Sequence, residues 1–209
     1  MREVDDAITA AQAGADFIGL VFAPGRRQVT LENARHIADA VHQIKPDIEV
    51  VGVFVNELPH TVNTVARDCR LDRVQLSGDE SIAYCRAIER PLFKVVHVTG
   101  ITIASDISDT VAQWYKNMGD ESFICMLDTA ITGKSGGTGL TFDWQIAGQV
   151  AARYPVMIAG GLNRDNIKKL LSEALPWGVD VSSGVETDGV KDKQKIRDFI
   201  KTVRSFEGR

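Results

Sequence analysis

Seven short apolar runs alternate with eight amphipathic segments along the 209 residues, and the series opens on an amphipathic segment. This alternation limits the folds open to the chain more than any other feature. The apolar runs cover residues 16–22, 49–55, 73–76, 93–98, 122–127, 155–159 and 178–181. Their middles are nearly continuous in apolar residues, as in strands covered on the outside by helices. The amphipathic segments cover residues 5–13, 31–44, 58–69, 80–88, 105–118, 144–153, 164–172 and 192–205. The first carries Val4, Ala7, Ile8 and Ala11 at helical spacing. Thr30, Asn163 and Asp192 stand where N-caps are useful. Repeated strand–helix units of this kind build a parallel sheet.

The expected fold class is α/β, a (β/α)8 TIM barrel in a single domain spanning residues 1–209. The count is one strand short. Such a barrel begins with a strand, whereas the residues before Asp5 are too few and too polar to supply one. The runs at 16–22 and 178–181 would each face the absent strand and present an unpaired edge. A buried unpaired backbone group costs roughly 1–3 kcal/mol, and several together rival the stability of a domain. An N-terminal truncation, a partner chain that fills the gap and a rearranged barrel all remain open. Pairing of open edges as a homodimer is one form of the second option.

Composition excludes several function classes. Acidic and basic residues are mixed along the chain and the net charge is −4, which marks out no nucleic-acid or membrane surface. No apolar run is long enough to span a bilayer, and the N-terminus has no apolar signal-peptide core. Cys69, Cys85 and Cys125 are far apart, without metal or disulfide spacing, so a reducing cytoplasm is the expected location.

Two glycine turns follow the last two runs. One is Ala159-Gly160-Gly161-Leu162-Asn163. The other is Asp180-Val181-Ser182-Ser183-Gly184-Val185-Glu186. Barrels often bind a phosphate with their last two strand-following loops, where glycines let backbone amides approach the oxygens. Either turn alone could be only a tight turn. Both on consecutive final strands point to a phosphate.

The segment 179–186, followed by Gly189-Val190-Lys191-Asp192, resembles the C-terminal signature of the phosphoribosylanthranilate isomerase family. So do Met126-Leu127-Asp128 with Gly136-Gly137-Thr138-Gly139 and Phe142-Asp143-Trp144, and Ala13-Gly14-Ala15-Asp16. Phe22-Ala23-Pro24 with Arg26-Arg27-Gln28-Val29, and Val74-Gln75-Leu76 with Gly78-Asp79-Glu80, complete the series. Ser77 departs from the histidine frequent at that position. The resemblance implies an Amadori rearrangement in tryptophan biosynthesis. N-(5-phosphoribosyl)anthranilate becomes 1-(2-carboxyphenylamino)-1-deoxyribulose 5-phosphate, with no metal or organic cofactor. It implies that Asp128 is the general acid that protonates the ring oxygen. It implies that Arg27 meets the anthranilate carboxylate, and that Gly160, Gly161, Asp180, Ser182, Ser183 and Gly184 belong to the substrate site. Arg26 reads as a solvated cation. Residues 134–139 read as a covering loop or a passive one, and Gln75 as a pocket residue or a structural amide.

One element of the resemblance is missing. The family's general base is a cysteine in a Lys-Ile-Cys-Gly sequence at the end of the first strand, and no such sequence occurs here. Met1 resembles an internal methionine just downstream of that turn. A misplaced start codon, a shortened chain and a gene that lacks the strand each fit. No other residue is a credible replacement. Cys125 should point toward the helices because it alternates with Asp128, and Cys69 and Cys85 fall in helical segments. His97 reads as a packed or hydrogen-bonded histidine, and His36, His42 and His60 as surface residues. The expectation is therefore an isomerase by family whose turnover is weak or absent. The alternative is a non-catalytic barrel that binds a phosphosugar or oligomerises. A dual-substrate phosphosugar isomerase fits less well, because Leu127-Asp128-Thr129 and residues 136–139 match the single-substrate family.

Overall fold

The computed structural model describes residues 1–98, 104–119, 122–128 and 144–207. Within them the helices are α1 (Val4–Ala13), α2 (Leu31–Ile44), α3 (Pro59–Asp68), α4 (Ile82–Cys85), α5 (Ala104–Met118), α6 (Trp144–Ala151), α7 (Ile167–Glu173) and α8 (Lys193–Glu207). The strands are β1 (Phe17–Val21), β2 (Glu49–Phe54), β3 (Arg73–Leu76), β4 (Leu92–His97), β5 (Phe123–Asp128), β6 (Val156–Ala159) and β7 (Gly178–Val179). A hairpin, β8 (Glu186–Thr187) and β9 (Val190–Lys191), follows β7. Strands β1 to β7 form one parallel sheet in sequence order. This is the barrel order with one strand lacking between β7 and β1, and the sheet is not rearranged.

Alternation along the strands makes two apolar layers. Val51, Phe93, Val95, Ile124, Met126, Met157 and Ala159 fill the inside of the curl, with Phe17 against them. The larger layer, between strands and helices, includes Ile18, Leu20, Val50, Phe54, Val74, Leu76, Cys125, Leu127 and Ile158. Cys125 therefore faces the helices, as its alternation with Asp128 required. Cys69 and Cys85 are also buried.

Contacts at three levels tie the two sides of the gap. At its base the rings of Phe17 and Trp177 lie 5.9 Å apart, and Phe93 approaches both. Arg73 lies over the Phe93 ring at 4.6 Å while pairing with Glu49 at 2.7 Å. On the outside α1 packs against α8, and Arg204 of α8 donates to Gly14 O and to Asp16 Oδ1 at 2.6 Å. At the mouth the loop after β1 meets the hairpin after β7 through side chains described below. Among the described residues no ladder crosses the gap: within the sheet β1 bonds only β2, and β7 only β6. On the gap side of β1, Gly19 O accepts from the Met1 α-amino group and Val21 O from Val29 N at 2.9 Å. Gly19 is exposed, and a Cβ added there would meet nothing within 4 Å.

Several boundaries differ from the sequence reading. Helix α4 has 4 residues rather than the expected longer run, because the segment before it turns to bury Glu80. Strand β7 has 2 residues, since the chain leaves the sheet at Asp180. Asn163 does not cap α7 directly. Its Oδ1 accepts from Asp165 and Asn166 one turn earlier, and Asn166 is the N-cap position.

Candidate active site

The carboxyl ends of the parallel strands carry the candidate site. Ile124 and Met126 face inward, so Asp128, two residues on, ends β5 on the same side. Its register partner on β4 is His97, whose Nε2 lies 3.0 Å from Ser77 O. His97 is thus hydrogen-bonded, as the sequence suggested, and stands beside the candidate acid. Gln75 Nε2 donates a hydrogen bond to Ser77 Oγ at 3.1 Å. His42 differs from expectation: it is half-buried and lies 2.9 Å from Asp72 Oδ2.

The two glycine turns form one cradle. Gly184 pairs with Asn163 as an isolated parallel bridge. The approach is close enough that a Cβ on Gly184 would lie 1.9 Å from Leu162 O. Only glycine allows the second turn to lie against the first in this way. Gly160 and Gly161 take φ values of 90° and 65°, the left-handed region that favours glycine. Asn166 Nδ2 holds Gly161 O at 2.9 Å. Ser182 and Ser183 are exposed on the rim of the cradle.

Asp180 follows β7, and Gly178 lies against Met157 of the inner layer. Inward alternation therefore carries Asp180 into the mouth of the curl. Burial raises its carboxyl pKa above the ordinary value, and the charge of Asp128 adds to the rise. Two carboxylates sharing one site disfavour joint ionisation, the usual way of keeping a proton available for acid catalysis.

Arg27 is not free. Its Nε donates to Glu186 Oε1 at 3.0 Å and its Nη2 to Glu186 Oε2 at 3.2 Å. Arg26, expected to be only a solvated cation, also reaches Glu186 Oε2 at 3.2 Å with its side chain 62% exposed. Lys191 Nζ lies 3.2 Å from Glu186 Oε1 and donates to Ser182 O at 2.7 Å. Glu186 is 6% exposed. Burial would raise its pKa, but hydrogen bonding from Arg27 and the Lys191 charge outweigh that and hold it below the usual glutamate value. Arg26, Arg27 and Lys191 thus gather on one buried carboxylate beside the cradle, with Asp128 and Asp180 close by. Glu186 and Lys191 stand inside a sequence motif that assigned them no role, because the arginines that Glu186 gathers lie 159 and 160 positions away.

Residues 134–139, read as a covering loop, lie outside the described residues, as do Thr129, Phe142 and Asp143. Among the described residues no helix is long and apolar enough to cross a membrane.

Comparison with known proteins agrees with this geometry. The family model for N-(5'phosphoribosyl)anthranilate (PRA) isomerase matches residues 1–202. The isomerase of Dehalococcoides mccartyi is 46% identical over 208 residues, which are 100% of this chain and 94% of that one. The crystal structure of phosphoribosyl anthranilate isomerase from Thermotoga maritima superposes with a TM-score of 0.84 at 35% identity, over 98% of this chain and 96% of that one. A phosphoribosyl anthranilate isomerase in complex with reduced 1-(o-carboxyphenylamino)-1-deoxyribulose 5-phosphate gives a TM-score of 0.80 at 32% identity, over 98% and 95% of the two chains. A seven-stranded sheet in barrel order, with a site at the carboxyl ends of its strands, thus belongs to a chain of the N-(5'-phosphoribosyl)anthranilate isomerase family.

Proposed function

We propose that this chain carries the binding site and general acid for the Amadori rearrangement of N-(5-phosphoribosyl)anthranilate, and lacks the group that removes the C2 proton. The cradle of Gly160, Gly161, Ser182, Ser183 and Gly184 takes the phosphate. Arg27 takes the anthranilate carboxylate through paired hydrogen bonds. Asp128 protonates the furanose oxygen, opening the ring to a Schiff base, and Asp180 meets the sugar beside it. The observation that carries this reading is the bridge between Asn163 and Gly184, which draws both glycine turns together at the strand ends where Asp128 stands. In the next step a base must take the proton from C2 to give the enolamine. The family cysteine is not among these 209 residues, and Cys125 is buried on the helix side of its strand. Burial pushes the Cys125 thiol up to about 12, so it supplies no thiolate near neutral pH. General-base catalysis contributes typically ~10²–10⁴-fold, and turnover falls by that factor.

Titration calorimetry with the reduced product-shaped ligand tests the binding half. The expected result is saturable binding that inorganic phosphate competes away. No binding at millimolar ligand would overturn the reading. A second reading, a barrel that associates through its edges, is favoured by the unpaired sides of β1 and β7. It predicts a dimer in sedimentation, and a strictly monomeric chain would contradict it. Three buried free thiols suit a reducing cytoplasm in either case.

A further inference from the structure

We infer that Glu186 is a positioning residue for the substrate's carboxylate: it grips one edge of the Arg27 guanidinium and leaves the other edge for the ligand. The inference rests on the reading of Arg27 as the carboxylate site. A guanidinium presents its donors in a rigid fork, so fixing Nε and Nη2 on one carboxylate fixes the plane and direction of the whole group. Both bonds have hydrogen-bond length, at 3.0 and 3.2 Å. Among the described residues Arg27 Nη1 has no hydrogen-bond partner. The grip is itself anchored. Glu186 stands on β8, directly after the phosphate turn, and its backbone N–H donates to Ser183 O in that turn at 3.0 Å. Lys191 ties the Glu186 carboxylate to Ser182 O in the same turn. Lys195 Nζ adds a bond to Glu186 O at 2.8 Å. One rigid unit therefore sets the spacing between the phosphate cradle and the carboxylate arginine, the two ends of the substrate. Holding a donor in place before the ligand arrives lowers the ordering cost of binding.

Two roles for Glu186 make opposite predictions. As a mere counter-charge it opposes anion binding, and its removal would tighten every anionic ligand. As a positioning residue it favours the carboxylate alone. The test compares three probes by calorimetry on the full chain: the reduced product-shaped ligand, the same molecule without its ring carboxylate, and inorganic phosphate. In the unaltered chain the carboxylated ligand should bind roughly tenfold or more tighter than its decarboxylated twin, the scale of a charged hydrogen-bond pair. Glu186→Gln keeps the side-chain shape but turns an N–H2 toward one of the arginine donors. It should bring that ratio close to one while phosphate binds at least as well as before, which also reports that the cradle is folded. Arg27→Gln should remove the ratio too, and the double variant should lose no more than either single one. A Glu186→Gln variant that keeps the full ratio overturns the positioning role, as does one that binds the carboxylated ligand more tightly. An unaltered chain that does not distinguish the twins overturns the Arg27 reading, and Glu186 falls with it.

Discussion

Glu80 brings a negative charge to a place where its side chain is 1% exposed, and Lys94, 2.9 Å away, is 4% exposed. The carboxylate also accepts from the backbone N–H groups of Asn56 and Gly78 at 2.9 and 3.0 Å. This explains Gly78-Asp79-Glu80 as a structural signature: Glu80 fastens the loops after β2 and β3, and a Cβ on Gly78 would lie 2.3 Å from Asn56 Oδ1. Glu80→Ala should destabilise the fold by roughly 3–5 kcal/mol in urea denaturation, because it strands a buried ammonium. Replacing Lys94 by Met together with Glu80 by Leu should cost much less. The pair also sets an acid limit. Burial would raise the Glu80 pKa, but bonds from Asn56 N–H and Lys94 hold it below its ordinary 4.5. A depressed folded pKa means that the unfolded chain takes the proton first. The stabilisation is fully present above about pH 4.5 and is lost as pH falls through the folded value. The urea midpoint of Glu80→Gln should accordingly vary less with pH on the acid side than that of the unaltered chain. An equally steep acid limb would show that Glu80 is not the group responsible. None of this pairing could be read from the sequence, where Lys94 looks like one polar residue inside an apolar strand.

Among the elements, those with a local cause were legible. Helix α2 runs over the residues expected from its apolar stripe, and Thr30 Oγ1 accepts from Asn33 N at 3.1 Å as its N-cap. Thr30→Ala should cost about 1 kcal/mol in thermal or urea unfolding. Asp192 caps α8 in the same way, through Gln194 and Lys195 N–H. The β8–β9 hairpin was missed, though its signal was present. Asp188 and Gly189 have φ values of 52° and 79°, the Asp-Gly turn that suits a two-residue hairpin. A Cβ on Gly189 would also lie 2.6 Å from Arg26 Nη1. The two short elements, α4 and β7, were overestimated: burial of Glu80 delays the start of α4, its end tightens into turns in which Ala87 N donates to Tyr84 O and Ile88 N to Cys85 O, and β7 stops at the exit at Asp180. The strand-end positions of the two glycine turns and of Asp128 were legible in the sequence, whereas what they bind or protonate is the proposal. The Arg27–Glu186 clamp was not legible, since a charge pair 159 positions apart leaves no local pattern. Gly184→Ala should push the two turns apart and weaken phosphate binding by roughly tenfold or more, on the scale of lost charge-assisted hydrogen bonds. Phosphate titration that matches the unaltered chain would show that the bridge does not shape the cradle.

Across the whole molecule the gap between β7 and β1 is the organising fact. The strand count was readable from the sequence, but the manner of closure was not. Aromatic rings at the base, α1 against α8 outside, and the Glu186 cluster at the mouth join the two sides without a ladder between them. Strands in the middle of the sheet have partners on both sides, whereas β1 and β7 have one each. In native-state hydrogen exchange the amides of β4 and β5 should be the slowest, and those of β1 and β7 should open first. Uniform protection across the sheet would mean that the gap does not divide its stability. The proposed function divides at the same gap: acid, carboxylate arginine and phosphate cradle are assigned to this chain, and the family's cysteine is not among its 209 residues. The direct test is the fluorescence change as N-(5-phosphoribosyl)anthranilate is consumed by this 209-residue chain, alongside the Thermotoga maritima enzyme. The account predicts turnover at least about 100-fold lower than that enzyme's, with ligand binding retained. Turnover comparable to that enzyme's would contradict it.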